Sequence, residues 1–114
     1  MSVALPLSLS FHNIEASDAL RALVEERSQH LHEVAPELQN LRVVIDEQHR
    51  SHLHGNHFQV HLELSLPGQR LAVSHDGPSR SHENAYAVVR EAFANATRRV
   101  RKTLDRRHAH RARA

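Results

Sequence analysis

The sequence predicts an α+β fold with the element order β-α-β-β-β-α, in which two helices pack on one face of a four-stranded sheet. Four segments have the alternation or the β-branched composition of strands, and two segments repeat apolar residues every three or four positions, as helices do. A chain of 114 residues has the length of one small domain. We expect a single domain over residues 1–104 and a basic, disordered tail over residues 105–114.

The first strand and the first helix are both visible in the N-terminal third of the chain. Every second residue from Leu5 to Phe11 is apolar, which predicts a strand with one buried face. Ser17 precedes Asp18 where a hydroxyl caps a helix and an acid suits its positive end, and Pro36 stops the helix. The apolar face of this helix comprises Leu20, Leu23, Val24, Leu31 and Val34.

The next three strands are predicted to follow one another as an antiparallel meander. Residues 41–48 are rich in β-branched side chains, and residues 58–66 alternate strictly between apolar and polar. Pro67 and Gly68 predict a tight turn, after which Leu71 and Val73 continue into the last strand. Such a sheet has one apolar and one polar face.

The last helix is amphipathic, and its charged side is basic. It is predicted to begin at about Ser81 or His82, after a loop over residues 77–81. At about 100° per residue, one side of this helix is apolar and comprises Ala85, Val88, Val89, Ala92, Phe93, Ala96, Val100 and Leu104. The opposite side comprises Arg98, Arg99, Arg101, Lys102 and Arg106.

The charge distribution divides the chain into an acidic body and a basic C-terminal segment. The chain has 15 basic and 13 acidic residues, a formal net charge of +2 at pH 7, but eight of the bases and a single acid fall in residues 98–114. Nearly all the bases are arginines, whose planar guanidinium groups suit bidentate contact with phosphate. This distribution indicates a polyanionic partner; a solvated segment that aids solubility is the alternative.

The composition excludes several classes of protein. The chain has no cysteine, which excludes disulfides, thiolate metal sites and cysteine nucleophiles. Its three glycines are scattered singly, so there is no glycine-rich phosphate loop, and no nucleophile–base pattern indicates an enzyme. No apolar run is long enough to span a membrane, and no signal peptide is visible. We therefore expect a cytoplasmic, non-enzymatic protein with no cofactor, no small-molecule substrate and no membrane association.

The histidines support a different hypothesis. The chain has 12 of them, and five lie in or beside the polar connection between the second and third strands. Neutral imidazoles bind zinc, copper or nickel, so a metal-binding protein is an alternative, although no recognised ligand spacing is present. An exposed hairpin that has accumulated polar side chains explains the same pattern. The candidate ligands are His49, His52, His54, His57 and His61.

Nucleic-acid binding explains the last helix best. A helix with arginines on one side can follow a phosphate backbone while its apolar side is anchored to the sheet. Only 4% of the residues are aromatic, and none lies in a strand motif that stacks single-stranded bases, so recognition of folded RNA by shape and phosphate contact fits better. A binding module for some other structured RNA remains an alternative.

Three short motifs carry a resemblance to a known family. Residues 15–21 read Glu-Ala-Ser-Asp-Ala-Leu-Arg, residues 43–45 read Val-Val-Ile ahead of a polar hairpin, and residues 84–89 read Asn-Ala-Tyr-Ala-Val-Val. In these motifs and in their order, the chain resembles the short form of the hibernation-promoting factor and ribosome-associated inhibitor family, also described as sigma-54 modulation proteins. The likeness covers about residues 7–104, and Asn84 stands where the family usually has aspartate.

The resemblance implies a function in translation. It implies a monomeric factor that binds the small ribosomal subunit over the decoding region and blocks translation while the ribosome is preserved, in stress and in stationary phase. It also implies that basic side chains of both helices contact ribosomal RNA. The residues expected to make these contacts are Arg21, Arg27, Arg98, Arg99, Arg101, Lys102, Arg106 and Arg107.

Overall fold

The computed structural model describes residues 5–49, 56–79 and 82–113, and its elements follow the predicted order. The α+β class is therefore confirmed. The elements are β1 (Leu7–His12), α1 (Asp18–Val34), β2 (Asn40–His49), β3 (Asn56–Leu66), β4 (Gln69–Ser79) and α2 (His82–Arg113). Within those ranges, neither helix carries an uncharged apolar stretch of the length needed to cross a bilayer.

The strands form one mixed sheet in the order β1-β2-β3-β4. β1 runs parallel to β2, because α1 carries the chain back between them, whereas β2, β3 and β4 form the predicted antiparallel meander. The β3–β4 turn contains Gly68 with a φ of 72°, the left-handed conformation that the second central position of a Pro-Gly turn requires. β1 and β4 are the edge strands of this sheet.

The hydrophobic core lies between one face of the sheet and the two helices. Alternate residues of the central strands are completely buried, as the alternation predicts: Leu41, Val43, Ile45, Val60, Leu62 and Leu64. α2 packs on β3 and β4, while α1 packs beside α2 and nearest to β1. Both helices therefore cover the same face, and the polar side chains of the strands lie on the other.

Both predicted ends of α1 are confirmed. The Ser17 hydroxyl accepts a hydrogen bond from the Leu20 backbone N–H at 3.2 Å, and the helix ends at Val34, just before Pro36. Ser28 was not among the predicted core residues, yet it is buried with 3% of its surface exposed. Its hydroxyl donates to the Val24 carbonyl at 2.6 Å, so the helix itself satisfies this polar group and allows its burial.

β4 continues three residues into the predicted loop and approaches α2 very closely there. Gly77 pairs with Phe58 within the β3–β4 ladder, so the loop predicted from residue 77 is wrong for residues 77–79. A Cβ atom on Gly77 would lie only 2.9 Å from Cγ2 of Val88 on α2. The glycine therefore marks a close contact between strand and helix, which is one of the roles of glycine within strands.

α2 is a single helix of 32 residues that continues past the predicted end of the domain. We expected a disordered tail from residue 105, whereas the helix extends to Arg113. Leu104 is the last core residue on α2, with 8% of its surface exposed. Beyond it, alanine and arginine are strong helix formers, and Arg107 is bonded to the β3–β4 turn, so the helix gains both local propensity and a tertiary anchor.

Candidate nucleic-acid interface

Basic side chains project from the outer side of α2. Four of them form what we call the basic arc: Arg98, Arg101, Lys102 and Arg106. All are exposed, and together with Asp105 and Ala109 they line a shallow depression on the helix surface. The opposite side of the helix is buried at Ala96 and Val100, neither of which has any exposed surface. Packing of the apolar side against the sheet thus determines the direction in which the cations face.

The basic arc is not neutralised by acidic side chains within the part of the chain that the structure describes. There, Arg98 donates a hydrogen bond to the neutral side chain of Asn95, and the other three cations of the arc have no hydrogen-bond or ion-pair partner. On the sheet, by contrast, Glu63 forms an ion pair with Arg42 at 3.9 Å and lies 3.5 Å from Nε2 of His61. The donors of the arc are therefore available to an external anion.

Arg99 and Arg107 differ from the arc because they contact the sheet. Arg99 Nη1 donates to the backbone carbonyl of Ala72 on β4 at 2.8 Å. Arg107 Nη2 donates to the carbonyl of Pro67 and to Oε1 of Gln69, both at 2.9 Å. We predicted Arg99 on the side opposite the core; its side chain is exposed, and its guanidinium group reaches the backbone of the edge strand β4.

These two arginines therefore hold α2 in place. A guanidinium group that bridges a backbone carbonyl and a side-chain amide of the β3–β4 turn ties the helix end to the sheet beyond the last core residue. The sequence already indicated that Arg107 faces the sheet, because it follows the buried Leu104 by three residues. Their predicted contacts with RNA stay predictions.

The adjacent pair Arg106 and Arg107 allows the two roles to be separated. We expect Arg107→Met to lower the free energy of unfolding by about 1 kcal/mol, since it removes two hydrogen bonds that a charged group makes to the exposed β3–β4 turn. Arg106→Met should leave stability within about 0.5 kcal/mol, because the Arg106 side chain is exposed. Urea unfolding followed by circular dichroism measures both. Equal effects on stability would contradict the assignment.

The two arginines predicted on α1 lie in different surroundings from the arc. Arg21 is exposed, and its guanidinium carbon lies 5.9 Å from the centre of the Phe11 ring on β1, within reach of a weak cation–π contact. Arg27 is half-buried, and its Nε is buried without a hydrogen-bond partner among the described residues. Arg27 thus packs its stem along the apolar side of α1, as its position near that side suggests.

The histidine cluster receives no support from the described residues. His52 and His54 lie outside them, and only the backbone of His49 is described. His57 is half-buried on β3, and His61 Nδ1 lies 2.7 Å from the Ser74 hydroxyl. In the described ranges, no three side chains of the metal-binding types come together. The metal-binding alternative therefore stays a hypothesis, because His52 and His54 of the β2–β3 connection lie outside the described residues.

Comparison with known proteins places this fold among related chains. The sequence matches the family model for "Sigma 54 modulation protein / S30EA ribosomal protein" over residues 7–108. A ribosomal subunit interface protein from Coxiella burnetii has a similar structure, with 17% identity and a TM-score of 0.68 over 89% of this chain and 99% of that one. The N-terminal domain of Protein Y from Thermus thermophilus is also similar, with 22% identity and a TM-score of 0.65 over 87% and 99%. The curated proteins contain no significant match.

The family match spans every strand and both helices up to residue 108, including the whole basic arc. The family is non-enzymatic, which agrees with the expectation that this chain catalyses no reaction. The two solved structures share less than 25% of their residues with this chain, so they support its fold. The family model matches most of the sequence, and it is the evidence for the family. The chain therefore belongs to the Sigma 54 modulation protein / S30EA ribosomal protein family.

Proposed function

We propose that this chain is a cytoplasmic, monomeric factor that binds the small ribosomal subunit near the decoding region and keeps the ribosome inactive and preserved in stress and stationary phase. Its contact surface is the basic arc, which binds phosphates of ribosomal RNA. Membership of the family supports the ribosome as partner. The observation that carries the proposal is an exposed row of cations, without acidic partners among the described residues, on a helix fixed to the sheet.

The dimensions of the basic arc suit a phosphate backbone. Arg98 and Arg106 are eight residues apart, which corresponds to about 12 Å along the helix axis. Successive phosphates of one nucleic-acid strand are spaced more closely than this, so the arc can face several of them. Three of its four members are arginines, whose forked donors can hold two phosphate oxygens at once. Lys102 adds a compact charge that adjusts to the remaining oxygens.

The attachment of α2 to the sheet makes the arc effective. Arg99 and Arg107 bond the helix to β4 and to the β3–β4 turn. Ordering flexible side chains and segments on binding weakens affinity, and a helix that is already anchored loses less freedom when it docks. We infer that α1 contributes less, because Arg27 is half-buried and α1 also carries exposed Glu25 and Glu26.

Inhibition on this proposal needs no chemical step. The described part of the protein measures 56 × 31 × 19 Å along its principal axes. A body of that size, held by phosphate contacts in the decoding region, excludes messenger RNA and transfer RNA by volume. Release requires only that the electrostatic contacts weaken, and such contacts depend strongly on salt.

Co-sedimentation with purified ribosomal subunits tests the proposal. We expect the protein to pellet with the small subunit and not with the large subunit, and to dissociate between about 50 and 200 mM salt as counterions are recovered. An excess of bulk transfer RNA should not displace it. Displacement by transfer RNA would favour a general module for structured RNA, and equal binding to both subunits would overturn the proposed site.

Asp105 is the acidic residue among the described side chains that line the depression at the basic arc, and its removal offers a test in the opposite direction. It lines the same depression as Arg101 and Arg106 and therefore opposes an approaching phosphate. We expect Asp105→Asn to strengthen small-subunit binding about threefold to tenfold at low salt, since one repulsive charge near a polyanion corresponds to roughly 1 kcal/mol. Fluorescence anisotropy with labelled protein measures the change.

Asp76→Asn is the matched control for this prediction. Asp76 is also exposed and its replacement changes the net charge equally, but it lies on β4, on the face of the sheet away from the helices. The affinity of the Asp76→Asn variant for the small subunit should stay within about twofold of that of the unaltered protein. An equal gain from both variants would show that net charge, and not the position of Asp105, determines affinity.

A further inference from the structure

A groove between β1 and α1 lies apart from the basic arc and is partly apolar. One side is formed by Leu7 and Leu9 of β1 and by Leu5 just before the strand, all three only half-buried. Its α1 side includes the exposed carboxylates of Glu25 and Glu33. The described residues leave these three leucines partly exposed. This is unusual at the edge of a sheet, because an exposed apolar edge strand tends to pair with strands of other molecules.

The backbone of β1 also has unpaired groups along this groove. The N–H of Leu41 on β2 donates to the carbonyl of Pro6 at 3.0 Å, so the backbone groups of the even-numbered residues point towards β2. Since these groups alternate in direction along a strand, the N–H and C=O of Leu7, Leu9 and Phe11 point to the open edge. Among the described residues, no strand pairs with that edge. The same residues thus offer backbone hydrogen bonds and apolar side chains to one ligand.

The charges along the groove differ between its two ends. Arg21 lies beside Phe11, at the end of β1. Because α1 runs back against the direction of β1, Glu25 and then Glu33 follow towards the Leu5 end. The groove is therefore basic at one end and acidic over the remainder. A ligand that matches it carries an acidic group near Arg21 and basic groups near the two glutamates.

We propose that this groove binds an extended peptide segment of a partner protein. The segment adds a strand to the free edge of β1, places alternate apolar side chains between β1 and α1, and sets lysine or arginine beside Glu25 and Glu33. Strand addition of this kind takes affinity from main-chain hydrogen bonds and specificity from the pockets for alternate side chains. A second copy of the chain fits less well, because its own β1, Leu7–His12, alternates correctly but contains neither lysine nor arginine.

A synthetic decapeptide provides the probe for this site. Its alternate positions, which all face α1, carry a glutamate near one end, valines in the middle and two lysines towards the other end. We expect a Kd of about 10–100 μM by fluorescence anisotropy, with amide chemical shifts of Leu7, Leu9 and Phe11 changing in the NMR spectrum. A peptide of the same composition with its valines grouped together should bind at least about tenfold more weakly, because grouped valines cannot all face the groove.

Neighbouring glutamates on α1 supply matched variants. Glu25→Lys and Glu33→Lys should each weaken peptide binding about tenfold, whereas Glu26→Lys should leave it within about twofold. Glu26 is exposed and its replacement changes the net charge equally, but it does not line the groove. The proposal is overturned if the peptide shows no saturable binding below about 1 mM, or if all three variants lose the same affinity for it. It is also overturned if the protein alone is a dimer in sedimentation equilibrium and dimerisation perturbs the same β1 amides. That last result would assign the groove to a second copy of this chain.

Discussion

Reversing Arg98 and Arg101 to glutamate is expected to reduce binding to the small ribosomal subunit at least about a hundredfold. A hydrogen bond between charged groups contributes roughly 1.5–3 kcal/mol, and this variant removes two such cations and adds two repulsive charges. The dependence of log K on log salt should also become less steep by about 1.4–1.8, since two phosphate contacts are lost. The fold should be unaffected, because both side chains are exposed on the outer side of α2. Co-sedimentation over a salt series measures both quantities.

The double variant Arg70→Glu/Arg90→Glu is the control for this experiment. Both residues are exposed, Arg70 on β4 and Arg90 in the first half of α2, and the change in net charge is identical. We expect the control to lose no more than about fivefold in affinity through long-range electrostatics. If the two double variants lost affinity equally, binding would depend on overall charge, and the basic arc would not be the contact surface.

Gly77→Ala should lower the free energy of unfolding by about 2 kcal/mol. The added methyl group would approach Cγ2 of Val88 to 2.9 Å, so strand or helix must move. Val88 has only 4% of its surface exposed and a branched, stiff side chain, and it therefore cannot move aside easily. Overpacking of a filled core typically costs between 1 and 3 kcal/mol. Denaturant unfolding monitored by circular dichroism measures the loss.

A double-mutant cycle with Val88→Ala identifies the cause of that loss. Val88→Ala alone should destabilise the fold by about 1–2 kcal/mol through the cavity it leaves. In the double variant the new methyl at position 77 occupies part of that space, so the total should fall short of the sum by about 1 kcal/mol. Strict additivity would contradict the contact with Val88 as the cause of the loss.

The fold was predictable because its elements are strongly patterned. Alternation over residues 58–66 and the apolar spacing of α1 and α2 identify their buried faces, and the buried residues in the structure agree with both. Ser17 and Pro36 act through local chemistry, so they marked the ends of α1 correctly. The signal at Gly77 was misread, since glycine beside proline normally indicates a loop, and only the position of Val88 explains a glycine inside a strand.

The candidate site was predictable in part. A helical projection separates apolar from basic residues and correctly places Arg98, Arg101, Lys102 and Arg106 outside the core. It cannot show what a long side chain near the boundary contacts, because that depends on which strand lies beneath it; Arg99 and Arg107 reach backbone carbonyls of β4 and the β3–β4 turn. The groove beside β1 was not predictable either, since it results from the order of strands and the place of α1 over the edge.

The parallel pairing of β1 has a consequence for how the molecule folds and opens. Leu7 pairs with Leu41, so this ladder closes a loop that contains all of α1, whereas β2, β3 and β4 join through local hairpins. Contacts between residues distant in the chain form late, because the entropy of loop closure must be overcome first. We expect β1 to attach last during folding and to detach first in the native state. Its amide hydrogens should exchange with solvent deuterium well before those of β3, as native-state hydrogen exchange can measure.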